Sequence, residues 1–147
     1  MFRPILLGLA AGQRAMTPLA VLVGSARRGK LPADAPRFLS HPLVAAAGVL
    51  LAAGEMAGDK QKTSPDRIVP SGLVARSLTS AFAGAVLAGR ERRVQGAVFA
   101  AAAAVASSYV GWSARMWAIK RYGQTASGAV EDALVLAGGW AAATARR

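Results

Sequence analysis

The sequence predicts an all-α protein, a polytopic transmembrane helical bundle of about five helices in one domain over residues 1–147. Three observations lead there. The chain is 54% hydrophobic and only 17% charged. The stretch Val94 to Ala114 carries no charge over a length that suffices to cross a bilayer. Of the 18 Lys/Arg, all but Arg14, Arg76 and Arg115 fall at the ends of, or between, five apolar runs. A net charge of +11 suits either nucleic acid or membrane flanks, and this placement selects the membrane. A soluble Ala-rich bundle is the competing reading, and the uncharged Val94 run opposes it. With no Cys, disulfides and thiolate metal sites are excluded.

The first helix is predicted at 4–24. Met1 to Ala10 resembles a secretory signal, but the apolar run passes Arg14 without a small-residue cleavage site, so a retained helix is expected. Pro32 and Pro36 break the basic loop Ser25 to Ser40. The second helix is predicted at 41–58, capped by Ser40 with Pro42 in its first turn. The third, 70–89, starts on a proline, which suits a first helical position. The four-residue connector at 90–93 makes it the antiparallel neighbour of the fourth helix, 94–119. A fifth helix is expected at 127–145.

Small residues suggest how these helices pack. Gly8-x-x-x-Gly12, Gly54-x-x-x-Gly58 and the alanine face of the fourth helix allow close backbone approach, within one chain or in a homo-oligomer. A weak internal repeat is also visible, with Arg14-Ala-Met-Thr17 echoed by Arg76-Ser-Leu-Thr79.

The charges inside the apolar runs are the candidate site. At about 1.5 Å per residue, Arg14 lies about 15 Å from the N-terminal face, Arg76 about 9 Å, and Glu55 about 5 Å. On the same rise Arg115 and Glu131 lie about 6 Å deep and Asp132 about 8 Å, with Asp59 and Lys60 at the rim. Four positive and four negative groups thus share one half of the membrane, as a paired network requires. Pro18 removes the helical donor for the Arg14 carbonyl, so a kink beside Arg14 and Thr17 is expected. Glu55 and Arg76 are expected to form a salt bridge across the turn between the second and third helices. Plainer readings stand beside these. Glu131 and Asp132 suit the first turn of a helix, Arg115 can snorkel, and Asp59 and Lys60 can be exit residues. Tyr109, Trp112, Trp117 and Tyr122 fit an interfacial aromatic belt.

GlyGlnArgAlaMetThrPro (12–18), GluMetAlaGlyAspLys (55–60), ValPro with GlyLeuValAlaArg (69–76) and AlaValGluAspAla (129–133) together resemble a known group. They are similar to the domain-of-unknown-function family 4126, small bacterial integral membrane proteins. That family has Ile-Pro after its Asp-Lys, where this chain has Gln61-Lys62. The resemblance implies a membrane location and no activity.

No Ser/His/Asp set, His metal spacing or phosphate-cradling Gly loop is present, so no enzyme, cofactor or metal is expected. The expected partners are the lipid bilayer, further copies of the chain, and a small ion or polar solute. Nucleic acid is not expected. The function class is a transporter or channel-like protein or, alternatively, a non-transporting scaffold or complex subunit. Six Lys/Arg flank the expected N-terminal side (Arg3, Lys60, Lys62, Arg67, Lys120, Arg121). Nine flank the other (Arg27, Arg28, Lys30, Arg37, Arg90, Arg92, Arg93, Arg146, Arg147), which places the N-terminus outside a bacterial inner membrane and the C-terminus in the cytoplasm.

Overall fold

The computed structural model describes residues 1–58, 68–122 and 133–141. These residues form helices and no strands. In order they are α1 (Phe2–Ala11), α2 (Thr17–Arg27), α3 (Pro42–Gly58), α4 (Pro70–Ala88), α5 (Arg93–Tyr122) and α6 (133–141), with a 3-10 turn at Arg37–Ser40 before α3. Two of them, Pro70–Ala88 and the continuous stretch Arg90–Tyr122, are long and apolar enough to cross a membrane. Phe2–Ala11 and Pro42–Glu55 are shorter apolar helices.

The first predicted helix, 4–24, is two helices. α1 ends at Ala11, the chain unwinds over residues 12–16, and α2 restarts at Thr17 with Pro18 in its first positions. Proline explains the restart, because it has no N–H to continue the ladder and its ring clashes with the preceding turn. α3 begins one residue later than expected, and Ser40 belongs to the 3-10 turn. The cap comes instead from His41, whose Nδ1 accepts the Leu43 N–H at 3.3 Å. α4 stops at Gly89, whose φ of 76° is a conformation that favours glycine.

Three helices form the tightest part of the structure. α4 and α5 are antiparallel, and they touch where Gly84 lies on Gly96. A Cβ at either position would overlap the opposite backbone carbonyl. α1 runs parallel to α5, with Gly8 against Ala100 and Gly12 against Ala104 and Ser107. Ala100 and Ala104 are fully buried, so the expected alanine face and the Gly8/Gly12 pair do pack. Gly54 behaves otherwise, since a Cβ there would meet nothing within 4 Å. α2 pairs antiparallel with α3, Val23 lying beside Gly48. A cluster of Leu7, Leu22, Val23, Leu39, Val86 and Leu87 joins the two groups.

This arrangement overturns the expected path of the N-terminus. Met1 to Pro4 lie beside Pro32 to Asp34 and beside Gly89 to Arg92, around one cavity. The chain therefore enters the break along α1 and returns along α2 to the same end of the molecule. At about 1.5 Å per residue, neither 10-residue α1 nor 11-residue α2 is long enough to reach the other end alone. The internal repeat also fails as structure. Arg14 lies in unwound chain, whereas Arg76 lies inside continuous α4.

Large apolar side chains lie on the surface as well as in the core, and some polar ones are buried. Leu43, Leu50, Leu78, Val94, Val98 and Val110 are exposed, while Arg14, Thr17, Ser80 and Ser108 are buried.

Candidate functional site

The break between α1 and α2 organises the polar interior. Unwinding a helix leaves carbonyls at the end of the first segment and N–H groups at the start of the second without helical partners. Two neighbouring helices supply replacements. From α5, the Ser108 hydroxyl donates to the Gly12 carbonyl (3.0 Å) and, in the alternative orientation, to Ala104 (2.8 Å). The Ser107 hydroxyl is 2.9 Å from the Leu9 carbonyl. Gln13 returns a bond in the other direction, its Nε2 donating to the Ser107 carbonyl at 2.8 Å.

On the other side of the break stands Glu55 of α3. One carboxylate oxygen accepts the Ala15 N–H at 2.7 Å and the other accepts the Met16 N–H at 2.8 Å. These N–H groups precede the first turn of α2, where the helix dipole is positive, so the carboxylate is placed where an anion is most stabilised. Met16, the residue that precedes α2, contributes no side-chain cap, and α2 has no acidic residue in its own first turn. Glu55 takes that role from another helix.

The predicted site residues divide three ways. Arg14 is 1% exposed in the break, Thr17 and Pro18 open α2, and Glu55 reaches the same spot, so these four are brought together. Among the described residues, the Thr17 hydroxyl oxygen is buried with no hydrogen-bond partner. Arg76 is buried on α4, where its carbonyl accepts the Ser80 hydroxyl at 2.5 Å. Arg14, Arg76 and Arg115 are each engaged by other groups. The expected salt bridge from Glu55 to Arg76 is not among the ion pairs between described residues. Both Glu55 oxygens instead accept from the main chain, where two converging N–H groups form a bidentate donor site. Arg115 lines, together with Gln13 of the break, an otherwise apolar cavity of about 450 Å³ between α1, α5 and α6. Asp59, Lys60, Glu131 and Asp132 lie outside the described residues.

Sequence reasoning missed Gln13, Ser107 and Ser108. A signal for the serines was present: two adjacent hydroxyls interrupt an alanine-rich run with no loop nearby. The aromatic residues of α5 mostly face outward, Tyr109 and Trp117 being exposed and Trp117 packing edge-on against Tyr122 at 6.2 Å. The ring of Trp140 in α6 stacks under the Arg28 guanidinium at 4.2 Å. Among the described residues, no group of three His, Cys, Asp or Glu side chains could hold a metal ion. No family model, curated protein or solved structure matches the chain.

Proposed function

We propose that the chain is a small multi-pass protein of a bacterial inner membrane in which α1 and α2 form a re-entrant hairpin, and that the hairpin tip is the working site of a transporter or channel-like protein. The membrane reading draws on the surface: large apolar side chains on α3, α4 and α5 face outward, while arginine, threonine and serine are among the buried residues. It also draws on the two helices that suffice to span a bilayer. The resemblance to family 4126 agrees with this reading and rests on the residues quoted for it.

One observation carries the transport reading. The unwound residues 12–16 bring together a buried arginine, a buried hydroxyl and converging main-chain N–H groups, one 10-residue helix, about 15 Å, from the start of α1. Discontinuous helices with this content bind small ions and polar solutes at the midplane of transporters. Glu55 would then act as a resident anion on the start of α2, exchanging with an incoming one. Membership of this network would extend to Arg76 and Glu131.

A specific observation favours a scaffold as the second reading. Glu55, Ser107 and Ser108 already satisfy the break from within the chain. The two readings separate by reconstitution into planar bilayers in potassium chloride, with flux or conductance as the readout. Under the first, Arg14→Lys and Glu55→Asp abolish flux while thermal stability in detergent is nearly unchanged. Stability lost with no flux at any stage supports the scaffold. Recovery of the protein in the soluble fraction without detergent would sink both.

Orientation and assembly follow from the same placement. Arg3, Arg27, Arg28, Lys30, Arg90, Arg92 and Arg93 gather at the end that holds the α4–α5 connector, so that end is cytoplasmic by the positive-inside rule. The N-terminus is cytoplasmic with it, opposite to the sequence expectation. Gly54, open on the outer face of α3, suits contact with a second copy.

A further inference from the structure

The break that turns the chain back also leaves a space beside it. α1 ends at Ala11, while α5 continues to Tyr122 and so runs past the end of its neighbour. Beyond that point α6 (133–141) forms the facing wall. The residues that face each other there are small: Gly111, Ala114 and Ala118 on α5, and Gly138 on α6. Side chains this short do not fill the gap, and the cavity of about 450 Å³ is what remains. Its wall is long in one direction. α1 lines it over two turns, from Leu6 to Gln13, and α5 takes over for two more, from Gly111 to Ala118.

The two polar groups in that wall are already occupied. Gln13 donates from Nε2 to the Ser107 carbonyl at 2.8 Å, and Arg115 is engaged by another group. The remaining wall is hydrocarbon from rim to floor: Leu9 and Leu134 are exposed at the mouth, while Ala10 (6%) and Val135 (4%) are buried at the back. An apolar cavity of roughly 150 Å³ stays dry and takes up benzene, and this one is about three times as large. Such a space rejects water, ions and polar solutes, so its occupant differs in kind from the one proposed for the hairpin tip. We infer that one acyl chain of a bilayer phospholipid occupies the cavity, entering between Leu9 and Leu134 and lying along α1 and α5 with its head group outside. The elongated wall suits a chain, and filling the void restores the dispersion contacts that the short side chains leave unmade. The inference rests on the membrane reading above, which puts the exposed leucines of the mouth in contact with acyl chains.

The test reconstitutes the full chain into phosphatidylcholine vesicles doped with a phosphatidylcholine that carries a diazirine midway along one acyl chain. After irradiation, the labelled residues are mapped by mass spectrometry. Leu78 on α4 and Val98 on α5 are exposed, so any bilayer chain reaches them and they serve as the reference. Ala10 and Val135 are buried, and label on them at the reference level is the expected result. Ala114→Phe, at an exposed position on the rim, puts a ring in the mouth and should abolish that label while Leu78 and Val98 keep theirs. Ala118→Leu, which takes up space from the far end, should lower it in the same way. Label confined to the exposed residues of the parent, or label at Ala10 and Val135 that survives both substitutions, would overturn the inference. So would label there from a free alkane bearing the diazirine with none from the phospholipid. Failure of the membrane reading shows separately, as recovery without detergent. An inserted protein labelled at Leu78 and Val98 but not at Ala10 and Val135 refutes this inference alone.

Discussion

Glu55 on α3 accepts the main-chain N–H of Met16 at 2.8 Å, across 39 residues of sequence, while its second oxygen holds Ala15. A carboxylate thus caps a helix that it does not belong to, and it ties the hairpin tip to α3. Hydrogen bonds to a charged acceptor in a partly buried site contribute about 1.5–3 kcal/mol, more than neutral ones. Glu55→Gln keeps one acceptor but turns an amide N–H₂ toward the second N–H. It should destabilise the protein by about 1.5–3 kcal/mol in denaturant unfolding. A variant as stable as the parent would show that the cap does not hold the tip.

The serines of α5 should matter less. Interhelical hydrogen bonds of this kind average about 0.6 kcal/mol in a membrane setting. Ser107→Ala and Ser108→Ala should each cost about that much in the same unfolding measurement. Their combined effect should exceed the sum, because losing both leaves Leu9 and Gly12 carbonyls without these donors. A strictly additive pair would argue that the two bonds act independently.

Glycine positions give a contrast of opposite sign. Gly84→Ala places a Cβ against the Gly96 carbonyl and should cost at least about 1–3 kcal/mol, since the obstacle is backbone and cannot rotate away. Gly54→Ala meets nothing within 4 Å inside a helix of the single chain and should stabilise the monomer by up to about 1 kcal/mol, while weakening a close contact with a second copy. Thermal unfolding of the two variants side by side decides it. A destabilised Gly54→Ala would place a second helix on that face.

The return of the hairpin is open to labelling. The chain contains no Cys, so single cysteines report without background. Phe2→Cys and Glu91→Cys should react with an impermeant maleimide from the same side of oriented vesicles, and Tyr122→Cys from the other. The 30-residue α5 is about 45 Å long, enough to separate its ends by a whole bilayer. Labelling of positions 2 and 91 from opposite sides would restore a first helix that crosses.

Much of the helical layout is determined locally, and for that reason the sequence alone determines it. Pro70 starts α4, Gly89 ends it, and the short connector that follows can only return the chain as an antiparallel neighbour. The uncharged alanine run makes α5 continuous, and its small face buries against α1 and α4. Pro18 marks the place where the first helix is disturbed, and Arg14 and Glu55 are legible as costly charges within apolar runs. The size of the disturbance was not legible there. A proline permits a kink, a complete break or a helix start, and the choice depends on who satisfies the released groups. Glu55 from α3 and Ser107 and Ser108 from α5 satisfy them, from 39 or more residues away, and this lets the chain turn back instead of crossing. The same distance defeats the Glu55–Arg76 expectation, because helical depth fixes height along the axis but not the direction a side chain faces. Depth could be read from spacing; which partner wins the carboxylate was decided by the packing of α2 on α3, which brings two N–H groups to Glu55 together.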